Sequence, residues 1–295
     1  MTGFGDVGQA NAAALKAQGL LPMVFHPRPK PQALPAAERL GLALETDAAR
    51  AYGDCDLVLN VAPGSQALPV ALTAAPLLRA NAVFADLSSA SPAALREAAT
   101  HFAPQSYVDV AIMGAVSIHG HRTPLLASGE GGARLAEFLA PLGFPVEVLP
   151  HSHPGDATAL KLVRSVLTKG MDAVVVECLL VAEALGLREP LLSHMGDLDQ
   201  STLSELMAMF VRTHAPHALR RLQEVETIEA SIGDLGVPLI VMQAVKRRYA
   251  RSIAMLGAAA ALPTQPEGGS VYDRALPWML EAERRTPFDD GAKPG

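Results

Sequence analysis

The chain has 295 residues, of which 49% are hydrophobic and 4% aromatic, and a net charge of −6. This length allows two domains with separate cores. The acidic balance and the lack of a long Lys/Arg run argue against a nucleic-acid partner, and no uninterrupted apolar run has membrane-spanning length.

The cysteines and histidines suggest neither a disulfide nor a metal site. Cys55 and Cys178 lie far apart in apolar stretches, so we predict that both are small core residues. The histidines lack metal-ligand spacing, and we predict no metal site. Free cysteines and no apparent signal peptide favour a cytoplasmic location.

A glycine pattern opens the chain. Gly3-Phe4-Gly5-Asp6-Val7-Gly8 is a G-x-G-x-x-G sequence, and a helix is predicted over 9–18. Such a turn at a helix N-terminus suits the pyrophosphate of a dinucleotide, because glycines allow the tight turn and a close approach of the backbone. All six residues are therefore candidate cofactor contacts.

The pattern normally follows a buried strand, but only Met1 and Thr2 precede Gly3. We expect this strand to be truncated, leaving a slot between the strands around Val24 and Val58. We also expect the natural protein to begin upstream.

Alternating strands and helices follow. Strands are predicted over 21–25, 56–61, 82–86, 107–112, 125–127 and 146–149, with helices over 36–44, 66–79, 92–100 and 132–139. This alternation predicts an α/β fold with a doubly wound parallel sheet. Ligands bind such sheets at the carboxyl ends of the strands, so Ala62-Pro63, Ser88-Ser89 and Met113-Gly114 are predicted to share one rim with the glycine turn.

The loop after the second strand bears on cofactor choice. An acidic residue about 20 positions after the glycines would bind the ribose 2′-OH of NAD. This segment instead contains Arg28 and Lys30, which suit a 2′-phosphate. We predict NADP, with NAD possible.

Beyond His153 the patterns are helical. One long helix is predicted over 156–185, followed by helices over 191–195, 201–213, 217–231, 238–261 and 272–285. We therefore predict a dinucleotide-binding domain at 1–152 and an all-helical domain at 153–295.

Four segments in order resemble the β-hydroxyacid dehydrogenases, with 6-phosphogluconate dehydrogenase as a larger relative. They are the glycine turn, Asp86-Leu87-Ser88-Ser89 with Pro92, Asp109 to Ala115, and Gly155 with Lys161. The closest subgroup has a C-terminal helical domain of unknown function. The resemblance implies a Rossmann-type fold, Lys161 as the catalytic residue, and a homodimer built on the helical domain. Arg221 lies roughly where the family has a cofactor-contacting lysine.

Three positions depart from the family pattern. Met113 replaces the serine and Ala115 the second glycine of the family's S-G-G segment, and Ser165 replaces an asparagine one turn after the lysine. Because those family residues bind a polar substrate group, a less polar carbonyl compound is favoured over a simple 3-hydroxy acid. Ser88, Ser89, Met113, Gly114 and Ser165 are the candidate substrate contacts.

The residues around Lys161 support a chemical role independently. Thr158, Lys161, Ser165, Thr168 and Asp172 form one polar stripe, while the intervening apolar residues, including Leu162, Val163 and Val166, are predicted to pack. A partly desolvated lysine has a lowered pKa and can exchange a proton near neutrality, which carbonyl reduction requires. A surface lysine with no chemical role is the alternative.

We therefore predict an NADP-dependent oxidoreductase acting on a small hydroxy/carbonyl compound, with Lys161 as general acid/base. One alternative is an imine reductase-like enzyme. Another is a dinucleotide-binding protein without turnover.

Overall fold

The structure is a computed structural model that describes residues 1–29, 31, 33–258 and 269–287. The chain divides into two compact units, Met1–Leu167 and Thr168–Gly295. The division falls within a long helix, α8 (Asp156–Ala184), whereas the domain boundary predicted from sequence lies just before it.

The described part of the first unit contains seven strands and the helices that cover them. The strands are β1 (Val24–Phe25), β2 (Leu44–Glu45), β3 (Leu57–Asn60), β4 (Val83–Asp86), β5 (Tyr107–Ile112), β6 (Leu125–Ser128) and β7 (Val146–Val148). The helices before α8 are α1 (Asp6–Ala17), α2 (Ala33–Leu40), α3 (Ala48–Tyr52), α4 (Ala67–Ala74), α5 (Pro92–Ala99), α6 (Val116–His119) and α7 (Gly132–Leu139). The predicted Rossmann-like α/β architecture is confirmed.

The sheet is mostly parallel. β3, β4 and β5 pair in parallel and in that order, so their carboxyl ends meet at one edge. β5 and β6 pair antiparallel, which corrects the prediction of a wholly parallel sheet. Strand direction depends on how the chain returns to the sheet, and the hydrophobic pattern of Leu125–Ser128 does not encode it.

The first residues of the chain lie between β1 and β3. Thr2 forms parallel bridges with both Phe25 and Asn60. Its amide donates to the Leu59 carbonyl at 2.8 Å, and its carbonyl accepts from Val61 at 2.8 Å. Met1 and Thr2 therefore lie between the two strands named, and Thr2 pairs with both of them.

Two boundaries near β1 differ from the predictions. The strand predicted over 21–25 is shortened to its last two residues, and it pairs with β2, whose first residue, Leu44, was the last residue of a predicted helix. α2 ends at Leu40 because Gly41 adopts a positive φ of 59°, a conformation that stops a helix.

The described part of the second unit is helical. Besides the C-terminal part of α8 it contains α9 (Arg188–Ser193), α10 (Gly196–Asp199), α11 (Leu203–Ile232), α12 (Ile240–Ala258) and α13 (Val271–Arg285). The predicted all-helical character is confirmed for these residues. Residues 259–261 of one predicted helix lie outside the described range.

The prediction of separate helices over 201–213 and 217–231 is wrong. α11 runs through both segments with Pro216 inside it. A proline removes one backbone hydrogen bond from a helix, and propensity alone favours a break. Here α12 and α13 pack along α11, so tertiary contacts support its continuation.

α8 contains a buried acidic residue within an apolar stretch, and its hydrogen bonds explain its position. Glu177 interrupts an apolar run, yet it is buried. Its carboxylate accepts the backbone N–H groups of Val241 at 2.7 Å and Met242 at 2.9 Å. Glu177 thus caps the N-terminus of α12, where a negative charge is stabilised.

Several residues predicted to be buried are exposed. Cys178 is exposed and Cys55 is half-buried, so the prediction that both are core residues is wrong for Cys178. On α8, Val163 is 71% exposed and Val166 is 78% exposed, and Leu162 is also exposed. The expectation that these three side chains pack within the chain is therefore wrong. None of the described helices combines the length and apolar character needed to cross a membrane.

Candidate active site

The glycine turn connects the segment beside β3 to α1. Gly3 has a positive φ of 92°, and a Cβ there would lie 2.9 Å from the Val61 and Ala62 backbone. At Gly8 a Cβ would lie 2.6 Å from the Gly3 carbonyl oxygen and 3.3 Å from Val61. Both positions therefore require glycine for close packing of the turn.

Gly5 differs from these two glycines. It is exposed, and a Cβ added there would meet no atom within 4 Å. It is the N-cap of α1, and no side chain caps that helix end. The open space therefore lies beside uncapped backbone N–H groups, which is the arrangement that binds phosphate groups.

The other turn residues divide between core and surface. Phe4 is buried in the main core of the first unit, and Val7 is half-buried. Asp6 is exposed at the first position of α1. Phe4 thus anchors the turn, while Gly5 and Asp6 face outward.

The loops after β3 and β4 lie next to the glycine turn and to each other. Ala62 is buried against Gly3 and donates its amide to the Asn60 side chain at 3.2 Å, whereas Pro63 is exposed. A Cβ on Gly64 would lie 2.6 Å from the Ser89 backbone. The structure therefore brings the glycine turn and both loops to one edge, as predicted.

Asp86 organises the loop after β4. It is fully buried and accepts the Ser88 amide at 2.9 Å and the Tyr107 hydroxyl at 3.0 Å. Burial raises the pKa of Asp86, and hydrogen bonds from Ser88 and Tyr107 oppose that change. Ser88 is buried by this arrangement, so Ser89 is the exposed serine of the pair.

Arg28 lies on the loop that follows β1. The Phe25 carbonyl accepts the Gly3 amide at 3.3 Å, so this loop leaves the sheet beside the glycine turn. Arg28 is exposed and has no ion-pair partner among the described residues. Lys30, the second predicted phosphate contact, lies outside the described residues.

The segment after β5 carries Met113 and Gly114. Met113 packs against Ala111, Leu126 and Ala157, so it lies beside the first turn of α8. Gly114 is exposed, and the following segment, residues 116–122, contacts α1. This segment therefore adjoins both the glycine-turn helix and the helix that carries Lys161.

A buried carboxylate holds the start of α8. Asp109 is fully buried in β5 and accepts four hydrogen bonds. The donors are Ser128 Oγ (3.0 Å), the Gly155 amide (3.0 Å), the Thr158 amide (3.0 Å) and Thr158 Oγ1 (2.6 Å). The first turn of α8 is thereby tied to β5 and β6.

Lys161 lies one turn beyond this anchor and is half-buried. Burial lowers the pKa of its ammonium, and the nearby Asp109 carboxylate opposes this by raising it. A lowered lysine pKa brings proton exchange closer to neutral pH. The apolar neighbours of Asp109 in a buried strand marked it as a charge in need of partners, but the sequence did not indicate that those partners lie at the start of α8.

Two further candidate residues have local partners. Ser165 donates its hydroxyl to the Lys161 carbonyl at 2.9 Å, which satisfies it within α8. Arg221 belongs to the second unit and donates to Thr213 Oγ1 at 2.8 Å. Their roles in substrate and cofactor binding stay predictions.

Comparisons with known proteins agree with this architecture. Residues 182–252 match the family model described as Domain of unknown function (DUF1932). An "uncharacterized 28.5 kDa protein in 7S RNA 5′ region" from Methanothermus fervidus is 26% identical over 213 residues, which cover 72% of this chain and 82% of that protein.

Two solved structures share the fold. One is a conserved protein of unknown function described as structurally similar to 3-hydroxyacid dehydrogenases, with a TM-score of 0.60 and 26% identity, covering 85% of this chain and 95% of that one. The other is an imine reductase from Aspergillus terreus in complex with NADPH4 and dibenz[c,e]azepine. Its TM-score is 0.69 and its identity 20%, and the match covers 85% of this chain and 92% of that one. Residues 182–252 are therefore similar to the DUF1932 domain, and the chain has the fold of the 3-hydroxyacid dehydrogenase-like proteins, as its sequence motifs predicted.

Proposed function

We propose that the protein is an NADP-dependent oxidoreductase acting on a small carbonyl compound or its alcohol. The observation that carries the proposal is the open space at Gly5 beside the uncapped N-terminus of α1. A pyrophosphate fits there because backbone N–H groups and the positive helix end are both available. The neighbour in complex with NADPH4 supports this cofactor class.

In this proposal the glycine turn and Arg28 hold the cofactor, which supplies or accepts hydride when bound. Lys161 Nζ gives a proton to the substrate oxygen during reduction and takes it back during oxidation. Its half-buried position and lowered pKa favour that exchange. Met113, which adjoins the start of α8, offers an apolar contact to the substrate.

An imine reductase-like activity is the second candidate. It is favoured by the neighbour that binds dibenz[c,e]azepine and by Met113 in place of a polar family residue. A panel of carbonyl compounds and cyclic imines, followed by NADPH absorbance, separates the two activities. Cofactor binding without turnover on either group would instead support a non-catalytic dinucleotide-binding protein.

Arg28→Ala should selectively weaken NADPH binding. A lost charge-assisted contact to the 2′-phosphate costs about 1.5–3 kcal/mol, or roughly 10- to 100-fold in affinity. Calorimetric titration should show this loss for NADPH and unchanged binding of NADH. Arg39→Ala, which removes another exposed arginine of the same unit, is the matched control. Tighter binding of NADH than NADPH by the parent protein would contradict the choice of NADP.

We also propose a homodimer built around α8. Val163, Val166, Gly170 and Val174 recur at intervals of three and four, so they line one face of the helix. All four are exposed, and this face lies opposite the stripe that contains Lys161. An exposed apolar stripe of this length is typical of a surface that a partner covers, and a second copy is the simplest partner.

Val166→Glu should convert the dimer to a monomer. A charge at the centre of an apolar interface is costly to bury unless it is paired. Light scattering at micromolar concentration should give a dimer for the parent protein and a monomer for this variant. Thr168→Glu places the same charge on the opposite face and should leave the dimer intact. A monomeric parent protein would rule out the proposed dimer.

A further inference from the structure

Asp109 carries an inference beyond the proposed cofactor and proton-transfer roles. It lies in the middle of β5 with no exposed surface, and all four of its hydrogen-bond partners are donors. A buried carboxylate without compensation would destabilise the fold strongly, so its position needs a reason.

The four donors are concentrated at one place. Two are backbone amides at the start of α8, and the Thr158 hydroxyl comes from its first turn. Ser128 Oγ also accepts the Ala157 amide at 3.0 Å while it donates to Asp109. Asp109 and Ser128 therefore hold the first turn of α8 in place through hydrogen bonds. That turn in turn fixes the position of Lys161.

We propose that Asp109 is a positioning residue for Lys161, which anchors the first turn of α8 and keeps a buried negative charge near the Lys161 ammonium. This inference rests on the proposed proton-transfer role of Lys161. In this role Asp109 itself contacts neither substrate nor cofactor.

Other charges near the start of α8 do not offer the same interaction. Asp156 is partly exposed and forms an ion pair at 3.7 Å with Arg96 of α5. Arg164 is an exposed cation of α8 itself. Asp109 is thus the buried anion in this group, and its field favours the protonated form of Lys161, which carbonyl reduction consumes.

Asp109→Asn separates charge from geometry. The amide oxygen can take the place of Oδ2 and accept the Gly155 and Thr158 amides and the Ser128 hydroxyl. The amide nitrogen can donate to Thr158 Oγ1, which then reverses its role. The variant therefore keeps the anchor and removes the negative charge. Asp86→Asn is the control, because Asp86 is equally buried but its hydrogen bonds are to Ser88 and Tyr107 rather than to α8.

The readout is the titration of Lys161 in the full chain. The six lysines are methylated with ¹³C-formaldehyde and followed by NMR against pH, and Lys161→Arg identifies the relevant resonance. We expect Asp109→Asn to move the Lys161 midpoint to lower pH, while Asp86→Asn leaves it in place. An unchanged midpoint in a folded Asp109→Asn protein would overturn the inference.

Thr158→Val tests the anchor without altering the charge. Hydrogen exchange of the amides at the start of α8 should become at least tenfold faster, while amides of β3 and β4 keep their rates. Unchanged exchange at the start of α8 would contradict the anchoring role, even if Asp109→Asn does not fold. Both measurements are made without substrate, so a protein inactive on every carbonyl and imine would refute the proposed function and leave these results interpretable.

Discussion

Lys161→Ala should lower turnover by about 10²–10⁴-fold, the usual span for loss of a general acid or base. Lys161 is half-buried, and its pKa is lowered by that burial against the opposing Asp109 charge. Its removal takes away the proton donor proposed for reduction. The alanine variant should fold and bind NADPH as the parent does, because no hydrogen bond within the described residues depends on the ammonium.

The pH profile of the parent protein provides a second test of Lys161. Reduction uses the protonated amine, so its rate should fall as pH rises through the lowered Lys161 pKa, whereas oxidation should gain over the same interval. Lys169→Ala removes an exposed lysine eight residues further along α8 and should preserve both profiles. Turnover of Lys161→Ala within a few-fold of the parent would exclude Lys161 from proton transfer.

Alanine substitutions at Gly8 and Gly5 of the glycine turn should have different effects on stability. At Gly8 a Cβ would lie 2.6 Å from the Gly3 carbonyl, so Gly8→Ala should destabilise the protein by about 1–3 kcal/mol through overpacking. At Gly5 a Cβ would meet no atom within 4 Å. Gly5→Ala should therefore lower the free energy of unfolding only by about 0.5 kcal/mol, because it changes the N-cap residue of α1.

Although Gly5→Ala should hardly change stability, it should weaken cofactor binding clearly. Its added methyl group would occupy the space proposed for the pyrophosphate, so NADPH binding should weaken by more than about tenfold, or about 1.4 kcal/mol. Thermal unfolding and cofactor titration together separate the two effects. Gly196→Ala, at another glycine with open surroundings, should change neither. Parent-like NADPH affinity in Gly5→Ala would show that the cofactor does not use this space.

The strands and helices with strong local patterns could be predicted from the sequence. β3, β4, β5 and α7 lie within one or two residues of their predicted bounds, and α8 ends one residue earlier than predicted. Each has a clear apolar period bounded by glycine, proline or polar turn residues. The glycine turn was predictable for the same reason, since its spacing reflects backbone constraints within six residues.

Other features depend on contacts between distant parts of the chain. Pairing decides that β6 runs antiparallel to β5, and packing against α12 and α13 supports α11 through Pro216. A sequence pattern records neither, because strand direction and helix continuation are both settled by neighbours far away in the chain.

The candidate site shows the same division. The sequence by itself indicated the glycine turn and Lys161, because the residues that signal their chemistry lie close together in the chain. Only the tertiary structure decided that Asp109 serves α8, since its partner Thr158 lies 49 residues away, and that Glu177 caps α12 across 64 residues. Whether a buried charge is tolerated depends on the donors that surround it, and those donors are brought together only by folding.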